Sequence, residues 1–363
     1  MIMLSALLEI LHRRFGKPCR IIGAGAWTAE IYRSHPDVAE VICLQRHTAF
    51  FFDRQWWHAR RALRADVAAP VYVCEDFPRK LPRITRLLRW SGTPASRCVM
   101  MTDMLAAARR HGQAPDHWVD RLVALGRCTP PAFREADFPW PDPAPRCAPF
   151  LEVSAAERSE CDAWLASQGW LGRALVLVQP GNQRTMKGGT RPRADDDKAW
   201  PAERWAELLR HMEQHLRPRL PQALIVLVGA PQEAALLEGL RAEAKLPSIG
   251  IAVPRLRRLF ALCARSQCMI SVDTGPAHAA AAVGLPLIVL FGASPPQVWQ
   301  PRSALGSPVI GVGGAPLASR LDEIAEPAVF EAWRRLLDRL QAGSVLQSGA
   351  AEQVLEVRSD PPE

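Results

Sequence analysis

The segment Cys268-Met-Ile-Ser-Val-Asp-Thr-Gly-Pro-Ala-His-Ala-Ala-Ala-Ala-Val-Gly-Leu-Pro-Leu-Ile-Val-Leu-Phe291 reads as strand, tight turn, short helix, strand. Apolar runs at 268–272 and 285–291 supply the strands, and five alanines between Ala277 and Ala282 supply the helix. Pro276 suits the start of a helix, and Gly275 permits the close turn before it. The N–H groups of a first helical turn lack intrahelical acceptors and sit at the positive end of the helix dipole, so this start is an anion site. Asp273 and His278 flank it, and a phosphorylated ligand is the first expectation.

The same alternation extends in both directions. Upstream, strands are expected at 174–179, 223–228 and 249–253, with helices at 154–168, from Pro201, at 231–243 and at 255–264. Together with 268–272 and 286–291 these strands complete a parallel sheet, and a last helix falls at 327–341. The first part of the chain repeats the pattern. A helix carries Leu4, Leu7, Leu8, Leu11 and Phe15 on one face, followed by strands at 19–22, 38–44 and 71–74 and helices at 28–34 and 53–63. Residues 76–98 are basic and Pro-punctuated, and read as helix and loop. Between the halves, Pro130, Pro131, Pro139, Pro141, Pro143, Pro145 and Pro149 mark an extended linker. Two α/β domains are expected, at 1–145 and 152–326, then a helix at 327–342 and a disordered tail at 343–363.

Composition narrows the classes. A net charge of +8, mostly from arginine, favours anionic partners: nucleotide-sugars, lipid or lipopolysaccharide surfaces, or nucleic acid. Lys and Arg are scattered and no nucleic-acid signature appears, so nucleic acid is not an expected partner. The nine cysteines form no C-x-x-C pair, so no metal site is expected and a reduced cytoplasmic setting fits. The apolar segment 1–15 is interrupted by Glu9 and lacks a basic leader, so it is neither signal peptide nor membrane span. Gly23-Ala-Gly25-Ala-Trp-Thr28 begins like a dinucleotide fingerprint but has Thr at its third glycine, which argues against a nicotinamide dehydrogenase.

A second loop follows the first strand of the later half. It runs from Gln179-Pro180-Gly181-Asn182 through a basic stretch with Arg184, Lys187, Arg191 and Arg193 to Asp196-Asp-Lys198-Ala-Trp-Pro201. Cations beside another helix start can cradle a diphosphate. Asp53, Asp76 and Asp103 read as surface acids. Trp27, Trp56, Trp57 and Trp90 read as core or rim, with contact to an acceptor saccharide or lipid as the alternative.

Asp273-Thr-Gly-Pro-Ala-His278, the Pro-Gly at 180–181 and Asp196-Asp-Lys-Ala-Trp-Pro201 together resemble glycosyltransferase family 9, the lipopolysaccharide heptosyltransferases. The likeness is strong over roughly 170–300 and collinear over 1–150. It implies a GT-B fold of two Rossmann-like domains facing a cleft, and inverting, metal-independent transfer from a nucleotide-sugar of the ADP-heptose type to a lipopolysaccharide-core or similar glycan acceptor. No cofactor beyond that substrate is implied. Such an enzyme would be cytoplasmic, with peripheral contact at the inner membrane face. The later domain would bind the donor through Pro180, Gly181, Asn182, Arg193, Lys198, Asp273, Thr274, Gly275, Pro276 and His278.

Three departures accompany the likeness. Arg193 and Ala194 stand where the family often has hydroxyl residues. Its ribose-binding acid is unmatched near Pro231, Gln232 and Glu233. The family's first strand and the Gly-Asp loop carrying its general base are expected ahead of Met1, as from a start site placed too late, which would leave a gap in the first sheet. Two other readings remain: a catalytically silent nucleotide-sugar-binding protein and a nucleotide-sugar epimerase. Donor turnover without acceptor would distinguish the last.

Overall fold

In a computed structural model the chain is described over residues 1–25, 27–44, 53–188 and 196–340. Its strands are β1 (Cys19–Ala24), β2 (Val38–Leu44), β3 (Val71–Val73), β4 (Cys98–Met100), β5 (Ala174–Gln179), β6 (Ala223–Val228), β7 (Gly250–Ala252), β8 (Cys268–Val272), β9 (Leu287–Phe291) and β10 (Val309–Gly313). The helices of the first half are α1 (Ser5–Phe15), α2 (Trp27–Ile31), α3 (Arg54–Ala65), α4 (Leu81–Ser91), α5 (Met101–Arg110) and α6 (Trp118–Arg127). Those of the second are α7 (Ala155–Ser167), α8 (Gln183–Gly188), α9 (Ala202–Arg219), α10 (Ala234–Ala244), α11 (Leu256–Arg265), α12 (Gly275–Ala282) and α13 (Pro296–Trp299), with α14 at 326–340. Among these residues no helix is long and apolar enough to cross a membrane.

The second half is a six-stranded parallel sheet in the order β10-β9-β8-β5-β6-β7. Its strands are apolar on both faces because helices cover both. Leu175 and Leu177 of β5 pack with residues of α7, α11 and α12, while Val176 and Val178 pack under α9, α10 and α14. From β5 the chain first winds outward through β6 and β7, then returns to add β8, β9 and β10 on the other side. The strand order therefore reverses between β5 and β8, and ligands of such sheets bind beyond the carboxyl ends at that point.

The first half pairs β1 with β2 and β3 with β4, all parallel, as two separate two-stranded sheets. Both halves close on α12. Ala277 and Ala279 to Ala282 are almost fully buried, packed in one cluster with β8 and β9 neighbours and with Ile2, Leu8, Ile21, Ile31 and Tyr32 of the first half. A helix pressed from two sides needs small side chains, which explains its run of alanines.

Several expectations require correction. The sheet does not end at 286–291, because Val309–Gly313 adds an edge strand, and a further strand, Cys98–Met100, starts at the last residue of the region read as helix and loop. The loop 180–200 contains a helical turn, α8. The helix expected at 28–34 ends at Ile31. Asp53 is buried and caps α3, accepting from the Gln55 N–H at 2.9 Å, and Asp76 pairs with Arg121 at 3.2 Å; neither is a plain surface acid, whereas Asp103 is exposed. Trp56 is core, Trp90 is half-buried, and Trp27 and Trp57 are exposed. The Pro-rich tract is extended, yet it is pinned to the first half: Arg14 donates to the carbonyls of Gly126, Cys128 and Phe138, and Phe138 lies 4.6 Å from Phe15. The tail 343–363 lies outside the described residues.

Arg257 of α11 ties the halves together. It donates to both carboxylate oxygens of Glu157 at 2.6 and 2.7 Å and to the carbonyls of Ile31 and Glu152 at 3.2 and 3.1 Å. These bonds hold the Glu157 carboxyl at about 2, below its ordinary 4.5, with further help from the Ser154 cap. The stabilisation is thus complete above pH 4.5 and is lost as pH falls toward 2. Arg257→Ala is expected to cost about 2–3 kcal/mol at pH 7, with the difference from wild type shrinking near pH 2. Urea unfolding at the two pH values measures both; equal penalties would refute the account.

Candidate functional site

The carboxyl ends of β5 and β8 meet through Gln179. Its side-chain oxygen accepts from Ser271 Oγ at 2.7 Å and Thr274 Oγ1 at 2.9 Å, and its amide donates to the Gly181 carbonyl. Gln179 is 3% exposed, so this amide is a buried fastener between the two loops that the sequence singled out. Sequence reading quoted it as the start of a loop and missed this role. The signal available was a polar residue ending an otherwise apolar strand.

Beyond Gln179, Pro180 and Gly181 are buried and lead into Asn182, which organises the second loop. Its Oδ1 accepts from the N–H groups of Arg184 and Thr185 at 2.7 and 3.2 Å, capping α8. Its Nδ2 donates to Asp196 Oδ2 and to the Lys198 carbonyl, each at 3.0 Å. Asp196, 2% exposed, in turn accepts from the Lys198 N–H at 3.0 Å. The first acid of the Asp-Asp-Lys motif is thus a scaffold that presents the lysine.

Lys198 Nζ donates to Asp273 Oδ2 at 2.8 Å and to the Asp273 carbonyl at 3.1 Å. An ammonium has three donors, so this pairing leaves one for a ligand. Asp273 is 8% exposed, and His278 Nε2 stands 3.9 Å from its other oxygen. Burial drives the His278 pKa down to about 4 against the opposing pull of Asp273, so the ring is neutral near pH 7. A neutral imidazole can donate to a ligand without adding charge. Thr274 is the N-cap of α12 in extended conformation, with Gly275 and Pro276 in the first turn. The site therefore gathers a cation, a helix start and a neutral histidine within one short arc.

A second residue escaped assignment. Glu233, 4% exposed, accepts from the Ala230 N–H at 2.8 Å and from the Thr185 hydroxyl, which itself accepts from the Asn182 N–H at 2.7 Å. A side chain on Gly181 would lie 2.0 Å from a Glu233 oxygen. Glu233 is thus a buried prop beneath the loop at 180–185, which its place in a helix's first turn could not reveal. Of the expected donor residues, Pro180, Gly181, Asn182, Lys198, Asp273, Thr274, Gly275, Pro276 and His278 are brought to this switch point. Arg193 lies outside the described residues, as does Arg191. Arg184 turns to Asp197 at 3.0 Å and Asp196 at 3.4 Å.

Two parallel-stranded α/β halves of this kind are the architecture of the GT-B fold. Residues 94–312 match glycosyltransferase family 9 (heptosyltransferase), and the chain belongs to that family. Its fold is similar to that of E. coli ADP-heptose LPS heptosyltransferase II, at 21% identity and TM-score 0.62 over 94% of this chain and 96% of that one. A glycosyl transferase family 9 structure from Veillonella parvula is similar at 16% identity and TM-score 0.64, covering 93% of each chain. E. coli heptosyltransferase WaaC with ADP is similar at 18% identity and TM-score 0.56, covering 92% and 96%. No curated protein sequence matches the chain.

Proposed function

We propose that the chain is an inverting transferase that moves a heptose-like sugar from an ADP-sugar to a lipopolysaccharide-core or similar glycan acceptor. In this reading residues 152–326 hold the donor, 1–145 face the acceptor, and the protein works in the cytoplasm at the inner membrane face. The observation that carries the proposal is the Lys198–Asp273 pair set against the start of α12 at the sheet's switch point. Cleavage of the donor leaves negative charge on the departing diphosphate. A lysine already oriented by Asp273, with the N–H groups of α12, stabilises that charge without reorganising during the reaction. Arg193 is assigned as a second cation for the same phosphates. Thr274, Gly275 and Pro276 bring backbone close to the phosphates, Pro180, Gly181 and Asn182 form the opposite wall, and His278 donates as a neutral group beside the sugar. No metal is required in this scheme, and the nucleotide-sugar is a substrate rather than a cofactor. The likeness to structures solved with ADP and with ADP-2-deoxy-2-fluoro heptose supports an adenine nucleotide as donor.

Calorimetric titration tests donor binding directly. ADP is expected to bind in the micromolar range and UDP far more weakly, with Asp273→Asn weakening ADP. Equal affinity for both nucleotides would reject the adenine-nucleotide donor, and unchanged ADP affinity in Asp273→Asn would reject the site. Mass spectrometry of acceptor incubated with ADP-heptose then reads the product.

A further inference from the structure

The outer layer of the first half carries charge that the donor site does not use. Helices α3 and α4 pack side by side and contain seven arginines: Arg54, Arg60, Arg61 and Arg64 on the first, Arg83, Arg86 and Arg89 on the second, with no Asp or Glu on either. The apolar faces of the pair, with Trp56, Ala59, Ala62 and Leu87, are spent on a core against β2. The opposite faces are basic, and Arg54, Arg61, Arg64, Arg86 and Arg89 are exposed with no ion pair among the described residues. Glu40, on the neighbouring strand, already pairs with Arg20 and His58. A stripe of like charge kept unneutralised opposes itself, which marks a surface that meets an anionic partner.

One aromatic edge joins the two helices. Trp57, 48% exposed, meets Trp90 edge-on at 4.7 Å, and the Arg60 guanidinium lies 5.6 and 5.0 Å from the two rings while donating to the Trp90 carbonyl. Trp57, Arg60, Arg61, Arg64 and Ala65 line a shallow cleft of about 460 Å³ on this surface. Single-stranded nucleic acid is read by successive aromatic platforms, and only one well-exposed ring stands here. A tryptophan bordered by arginines is instead the composition of a bilayer interface, where indole sits at headgroup level and guanidinium meets phosphate.

We propose that the α3–α4 face docks the protein on an anionic phospholipid surface, with Trp57 at the interface and Arg61, Arg64, Arg86 and Arg89 on headgroup phosphates. The proposal rests on the transferase reading only in that a lipid-linked acceptor gives the surface its use. Nucleotide binding at Lys198 and vesicle binding at α3–α4 are separate measurements, so either can fail alone.

Co-sedimentation of the full chain with phosphatidylcholine vesicles, with and without phosphatidylglycerol, is the test. Binding is expected only with phosphatidylglycerol and is expected to weaken with added salt. Each arginine removed should lower the partition roughly fivefold, so Arg61→Gln with Arg64→Gln should lower it roughly twenty-five-fold. Arg334→Gln with Arg335→Gln, on α14 where both pair with Glu331, should leave it unchanged. Circular dichroism and unchanged ADP affinity confirm that the variants are folded. Three results would overturn the proposal: no binding to anionic vesicles, equal binding by both double variants, or arginine-dependent binding of single-stranded RNA in place of vesicles.

Discussion

Lys198→Ala is expected to lower sugar transfer by about 10²–10³-fold while moving the melting temperature by only a few degrees. The two effects separate because the Lys198–Asp273 pair is partly open to solvent, with a third of the lysine side chain exposed. Such a pair contributes about 1 kcal/mol or less to folding. Its value to the proposed reaction is expected to be greater, because further negative charge develops on the diphosphate as the sugar–phosphate bond breaks. Lys198→Arg keeps the charge but replaces a point donor with a planar fork, and should recover part of the rate. Steady-state kinetics alongside thermal unfolding measure both quantities. A Lys198→Ala protein with wild-type turnover, or one whose rate loss follows its loss of folded fraction, would remove the lysine from the donor site.

Gly181→Ala is expected to lower transfer by about 10²-fold through displacement of the loop rather than loss of any polar group. The added methyl would stand 2.0 Å from Glu233 Oε1 and 2.6 Å from its carboxyl carbon. Glu233 cannot swing away cheaply, because its oxygens are held by the Ala230 N–H and the Thr185 hydroxyl inside a buried pocket. The loop must move instead, and Asn182 would carry the Lys198 carbonyl contact with it. Space can be restored by shortening the opposing side chain. The double variant Gly181→Ala/Glu233→Ala should therefore recover activity relative to Gly181→Ala, although Glu233→Ala alone is expected to lower it by removing the prop beneath the loop. Additive losses in that cycle would show that crowding is not the cause.

The residues that could be read from sequence were those whose type and spacing carry local meaning. Gly275-Pro276 before a run of alanines announces a helix start, and Asp273 and His278 beside it announce a site. What the sequence could not express was strand order. The switch point exists because β8 returns beside β5, and nothing in either strand states its neighbour. β10 was hidden because Gly311 and Gly313 interrupt its apolar run, and β4 because it spans only Cys98–Met100 at the end of a basic stretch. α8 was masked by polar composition, its turn being stabilised by Asn182 rather than by an apolar face. Asp53 was misread although a helix followed it directly; the N-cap pattern was there to be used. Glu233 and Gln179 carry no motif, and their roles emerge only from the partners that folding supplies.

The Ser271–Gln179 hydrogen bond spans 92 residues of chain. In time rather than space, the β5–β8 seam closes a longer loop than the β5–β6 pair and is expected to form after it. A partly folded intermediate holding only β5, β6 and β7 has one side of the pocket and no lysine partner. A nucleotide bound at this proposed site would favour the completed fold, so adding ADP is expected to slow unfolding without accelerating the early folding steps.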